Sequence, residues 1–159
     1  MTDPFPPLAE IAAEEAELQL AGFTNDDAWD LGCALVDAAR AQGAPVAIDV
    51  RRNAHVLFHV ALPGATPDND SWIERKAAVV HRFGHSSLYV GQRCREAGTT
   101  FEAQFGLDPQ RYAAHGGAFP VTVRSVGPVG AVVVSGLPQV TDHRLVVEVL
   151  RARLAGSRS

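Results

Sequence analysis

Apolar positions recur at helical and strand spacings along almost the whole chain, and their order predicts the elements. Leu8, Ile11, Ala12, Glu15, Leu18 and Ala21 fall at spacings of three and four, which predicts a helix with a moderate apolar stripe over 8–21. Gly22 suits its C-terminus. A second helix is expected from Asn25 or Asp26 to Gln42, because Asp26, Asp27 and Asp30 favour its start and Gly43 and Pro45 stop it. Trp29, Cys33, Val36 and Arg40 mark one side of it, with Leu31 and Leu35 nearby. The period then falls to two. Residues 45–50 and 54–62 read as hairpin strands around the turn Arg51-Arg52-Asn53. In the second strand Val56, Phe58 and Val60 alternate with His55, Leu57, His59 and Ala61. Neither face is polar, so both are expected to be covered, by helices or by another subunit.

Residues 63–70, PGATPDND, read as a loop, and a helix is expected from Trp72 to Arg82 with Asp70 or Ser71 as cap and Gly84 as breaker. Further helical stretches follow over 86–96, 99–105 and 109–113. The segment His115-Gly116-Gly117-Ala118 predicts a tight bend. A second hairpin spans 119–124 and 129–135, and a last helix 141–154 carries Leu145, Val149 and Ala152 on its apolar side. No helix separates paired strands, which argues against a parallel, doubly wound sheet. The expectation is one α+β domain over 8–154, with a central antiparallel sheet flanked by helices and loose ends at 1–7 and 156–159.

Composition narrows the partners. The 159 residues are 47% apolar, enough to bury a core. Net charge is -4, and all 14 basic groups are Arg except Lys76. No basic stripe lies beside spaced aromatics, so nucleic acid is not an expected partner. Arg51, Arg52, Arg75 and Lys76 could pair with acids or a ligand, but exposed polar surface is the commoner reading of such residues. Cys33 and Cys94 form no C-x-x-C pair and read as buried thiols. The N-terminus lacks a signal-peptide pattern, and no apolar run is long enough to cross a bilayer, so the cytoplasm is expected.

Motifs that would name a reaction are missing. Six histidines are present, without H-E-x-x-H or an equivalent ligand set, and no metal site is expected. His81 and His85 are separated by Gly84; His55 and His59 would lie about 13 Å apart on one strand face. No serine sits in a G-x-S-x-G elbow. Asp142 and His143 open the last helix just after Ser135-Gly136, where free amides favour an anion. Equally, Asp142 stabilises that helix end and His143 fills a polar edge. On a helix their side chains diverge by about 100 degrees, so they are not a ready dyad.

Taken together, FTNDDAWDLG (23–32), PVAIDVRRN (45–53), LPGATPDNDSWIERKAAVV (62–80), RFGHSSLYVG (82–91), GTTFEAQFGLDPQRYAAHGGAFPVTV (98–123) and VGAVVVSGLPQVTDHRLVVEVL (129–150) resemble the UPF0303 family, a branch of the haem-degrading-domain (DUF336, GlcG/HbpS-like) superfamily. The resemblance implies a profilin-like α/β sandwich that assembles into dimers or larger homo-oligomers. It also implies haem as a candidate ligand, and for some eukaryotic relatives a protein-targeting interaction. Three functions stand side by side. The first is binding of haem or a small organic anion at a subunit interface lined by His115, Gly116, Gly117, Ser135, Gly136, Asp142 and His143. The second is a non-catalytic oligomeric adaptor. The third is an enzyme using Asp49, Asp142 or a histidine as acid or base.

Overall fold

The computed structural model describes residues 4–157. Helix α1 (Leu8–Glu17) leads into a two-residue strand β1 (Gln19–Leu20). The expected helix through Ala21 is therefore too long. Leu18 and Leu20 are buried while Gln19 is partly exposed, a strand period, and β1 pairs parallel with Thr122 and Val123. Helix α2 (Asn25–Ala41) is capped by Thr24, not by Asn25 or Asp26. Thr24 Oγ1 accepts the Asp27 N–H at 3.1 Å, and Asp27 Oδ2 accepts the Thr24 N–H at 2.8 Å. Its buried side is Ala28, Leu31, Gly32, Leu35 and Ala39, so the Trp29–Cys33–Arg40 side is turned outward. Trp29 is 61% exposed and Cys33 is only partly buried, whereas Cys94 is buried as expected.

Strands β2 (Ala47–Arg52) and β3 (His55–Ala61) form the first hairpin, and β4 (Ala118–Val123) and β5 (Gly127–Ser135) the second. The sheet order is β1-β4-β5-β2-β3. All pairs are antiparallel except β1 with β4. A bulge sits where Val50 pairs with Phe58 and Arg51 with Val56. It inserts Leu57 and inverts the alternation beyond it, so His55, opposite Arg52, and His59, opposite Asp49, lie on opposite faces and not on one. Gly32 is required where α2 crosses this strand, because a Cβ there would lie 2.4 Å from the Phe58 ring.

Helix α3 (Pro67–Phe83) begins five residues before the expected Trp72. Pro67 occupies its first turn, and Asn69 Oδ1 accepts the Thr66 N–H at 2.9 Å. Helices α4 (Ser87–Glu96) and α5 (Phe101–Phe105) follow. Residues 109–113 make only a turn. Helix α6 spans Gln139–Ser157, and Ala152 on it is exposed.

Helices thus cover both faces of the sheet. Val46, Ile48, Val50, Phe119, Val132 and Val134 pack with Leu31 and Leu35 of α2 and Leu145, Val146 and Leu150 of α6. On the other face Ala47, Ala118, Ala131 and Val133 meet Ile73, Ala77 and Val80 of α3. Of the ends expected to be loose, residues 1–3 and 158–159 lie outside the described residues. Phe5 packs its ring 3.8 Å from the Arg95 guanidinium. Among the described residues no helix is long and apolar enough to cross a membrane.

Candidate functional site

The early start of α3 puts Asn69, Trp72 and Lys76 on one helical face, three and four residues apart. Across from them stand the bend that precedes β4 and the turn that joins β5 to α6. Together these elements enclose a cleft of about 340 Å³ lined by Asn69, Trp72, Lys76, His115, Gly116, Ser135, Gly136, Leu137, Gln139 and Asp142.

Lys76 forms the floor. Its side chain is 3% exposed, and Nζ donates to Val134 O at 2.7 Å and Gly116 O at 3.0 Å, with Asp142 Oδ2 at 3.5 Å. The expectation that Lys76 is surface is wrong. It falls on the same stripe as Ile73, Ala77 and Val80, which faces the sheet. Burial presses its amine below the ordinary lysine range, against the pull of the Asp142 carboxylate. The bend makes room for it: at Gly117 (φ +134°) a Cβ would lie 2.4 Å from Lys76 Nζ and 2.3 Å from Val134 O.

Asp142 closes the inner wall. Oδ1 accepts the Leu137 N–H at 3.0 Å and Oδ2 the Gly136 N–H at 3.3 Å. Asp142 thus holds the two amides of the turn that leads into α6. Burial raises this carboxyl to about 6, opposed by Lys76 and by the two amides.

The mouth is aromatic and basic. The His115 ring stands edge-on to Trp72 at 5.1 Å, and the Arg75 guanidinium lies 4.0 Å from the Trp72 centroid. Neither ring nitrogen of His115 has a hydrogen-bond partner among the described residues. Partial burial, then the Lys76 charge, holds this imidazole below the ordinary histidine range. Gln139 Oε1 accepts the Gly116 N–H at 3.0 Å, and Asn69 Nδ2 reaches Ser135 Oγ at 3.4 Å.

Of the seven residues singled out by sequence, five line this cleft: His115, Gly116, Ser135, Gly136 and Asp142. Gly117 lies directly behind it, against Lys76. His143 does not join them. It is 1% exposed, packs on Phe119 and offers Nε2 to Glu14 Oε1 of α1 at 2.8 Å, while Nδ1 is buried without a partner. Sequence reasoning missed Asn69, Trp72, Lys76 and Gln139. Asp49 lies outside the cleft, in a buried network: Arg51 Nε donates to Asp49 Oδ1 at 2.7 Å, and His59 bridges Asp49 at 3.1 Å and Asp70 at 3.2 Å. His85 pairs with Glu15 of α1 at 2.7 Å, and Gly84 (φ +71°) ends the helix carrying His81. A larger hollow of about 640 Å³ borders Leu20, Phe23 and Leu154, but its charged groups Arg153 and Asp27 are paired with each other.

Residues 23–151 match the family of HbpS-like haem-degrading proteins. A UPF0303 protein of Streptomyces avermitilis is 61% identical over 145 residues, covering 91% of this chain and 89% of that one. Among solved structures, the Ybr137w protein superposes with a TM-score of 0.88 at 39% identity, over 96% of this chain and 90% of that one. A double mutant of HbpS from Streptomyces reticuli gives 0.66 at 25% identity, over 86% and 89%.

Proposed function

Because the chain belongs to the UPF0303 family, within the HbpS-like superfamily, we propose that its cleft is a binding site for a small organic anion with a flat face, haem included. One observation carries the reading: an unpartnered His115 imidazole set against Trp72 at the mouth of a cleft with a buried Lys76 beneath. At 340 Å³ the cleft is at the small end for ligand sites, suited to an organic acid; enclosing haem would need a neighbouring subunit to extend it. Haem needs an axial ligand, and His115, held neutral at pH 7, is the residue that would supply it. Arg75, beside Trp72, would pair with a carboxylate or propionate. The haem-degrading description of the matching family supports testing this ligand first.

Titration of the purified chain with hemin, read at the Soret band, tests the haem form. A saturable shift that His115→Ala abolishes is expected. No shift with hemin, and no binding heat with aromatic carboxylates, would overturn the reading.

A second reading concerns assembly. Strand β3 ends the sheet with one edge free among the described residues, and exposed Val56 and Trp29 lie beside it, Trp29 packing edge-on to Phe58 at 5.5 Å. This favours a homo-oligomer, with the chain as an adaptor or with the ligand site completed by a neighbour. Light scattering should give a dimer or larger particle that Val56→Asp dissociates; a monomer at all concentrations would refute it.

A further inference from the structure

We infer that the cleft selects a carboxylate through the side-chain amides of Gln139 and Asn69, which face the ligand as hydrogen-bond donors, and not through the charge of Lys76. The inference rests on the cleft being a ligand site and deepens that reading by naming the groups that set ligand preference.

Lys76 has no hydrogen left for a ligand. Three acceptors surround Nζ: Val134 O at 2.7 Å, Gly116 O at 3.0 Å and Asp142 Oδ2 at 3.5 Å. An ammonium carries three N–H groups, so each has a partner inside the fold. Its charge is matched by the Asp142 carboxylate, which also holds the Leu137 and Gly136 amides. Lys76 and Asp142 therefore form a closed pair that shapes the floor without serving as the counter-ion of a ligand.

The two amide side chains stand differently. Asn69 Oδ1 accepts the Thr66 N–H at 2.9 Å, and Gln139 Oε1 accepts the Gly116 N–H at 3.0 Å. A backbone N–H can only donate, so in each side chain the oxygen is fixed on the backbone and the NH2 group is the free end. Gln139 Nε2 has no acceptor among the described residues. Asn69 Nδ2 has one, Ser135 Oγ at 3.4 Å, which leaves its second N–H unused. Ser135 is 4% exposed; its Oγ receives from Asn69, and its own proton has no acceptor among the described residues.

Three side chains that line one cleft are thus left with hydrogens to give. A carboxylate answers them, having two acceptor oxygens and no hydrogen at neutral pH. An amidinium or ammonium would set N–H against N–H and leave both sides unpaired, which is the costly arrangement. With the carboxylate inward, the flat part of the ligand lies toward Trp72 and His115 at the mouth.

Gln139→Glu and Asn69→Asp test this, because the new carboxylate still accepts the Gly116 or Thr66 N–H and only the NH2 group is exchanged. The full chain is titrated calorimetrically with benzoate, with benzamidine and with pyridine N-oxide, an uncharged ring with one acceptor oxygen. Wild type is expected to bind benzoate and the N-oxide and to reject benzamidine. Each variant should bind the two acceptor probes roughly tenfold more weakly or worse, the effect of losing a hydrogen bond to the ligand. Gln139→Glu should also gain benzamidine binding, which a misfolded chain would not. Weakening of the uncharged N-oxide separates the lost donor from the added charge. Unchanged N-oxide affinity in both variants, or a wild type that takes benzamidine as readily as benzoate, would overturn the donor assignment and leave the ligand site standing. Absence of binding by all three probes to wild type would overturn both.

Discussion

Replacing Asp142 with Asn tests the electrostatics of the cleft through stability. Burial raises this carboxyl from 3.8 to about 6, outweighing the Lys76 charge and the two amides that favour ionisation. Between those values the unfolded chain has lost the proton while the folded chain still holds it. Fewer protons bound in the unfolded state means that stability falls as pH rises. A shift of about 2 pH units corresponds to about 3 kcal/mol. Urea unfolding of wild type and Asp142→Asn at steps from pH 4 to 7.5 reads this term, because the groups that do not touch Asp142 cancel in the difference. The cost of the substitution should be largest near pH 4 and shrink by about 3 kcal/mol by pH 7. A difference that stays flat would refute the reasoning. So would one that grows with pH, the signature of a carboxylate held ionised by its ion pair.

Gly117→Ala should destabilise by roughly 2–6 kcal/mol in the same assay, since its φ of +134° disfavours a side chain and the new Cβ would meet Val134 O and Lys76 Nζ. Arg51→Ala strands the buried Asp49 carboxylate with His59 as its remaining partner, and should cost about 3–5 kcal/mol in urea unfolding. Glu14→Ala leaves both nitrogens of buried His143 unpaired; about 1–3 kcal/mol should be lost, with faster hydrogen exchange across α1. His115→Ala should change stability by less than about 1 kcal/mol, because the ring makes no hydrogen bond and its packing is confined to the cleft mouth beside Trp72, yet remove the hemin-dependent Soret shift.

Local signals read correctly where the chain's own spacing decides the outcome. Gly43 and Pro45 bound α2, and the two hairpins follow from short turns between β-branched runs. Elements decided by distant partners were not legible. Strand β1 exists because Leu20 meets Val123 a hundred residues on. The bulge at Leu57 has no composition of its own, yet it moves His55 to the other face. Two signals were present but outweighed. Thr66-Pro67 followed by Asn69 is a helix start, hidden by the reading of the prolines as loop. Lys76 sits in register with Ile73, Ala77 and Val80, and its charge argued for the surface against that register. The candidate cleft was half visible for the same reason. Its glycine bend and the start of α6 carry backbone signals, whereas the α3 side depends on where that helix begins.

The most direct test of the central claim uses Trp72 as the reporter. The chain has two tryptophans, so Trp29→Phe leaves Trp72 alone at the mouth of the cleft. Titration of that variant with hemin and with an aromatic carboxylate should quench its fluorescence saturably, and His115→Ala in the same background should weaken the effect for hemin. Quenching that persists unchanged in a Trp72→Phe chain, reported by Trp29, and is absent when Trp72 is the only tryptophan, would place the ligand elsewhere and contradict the account.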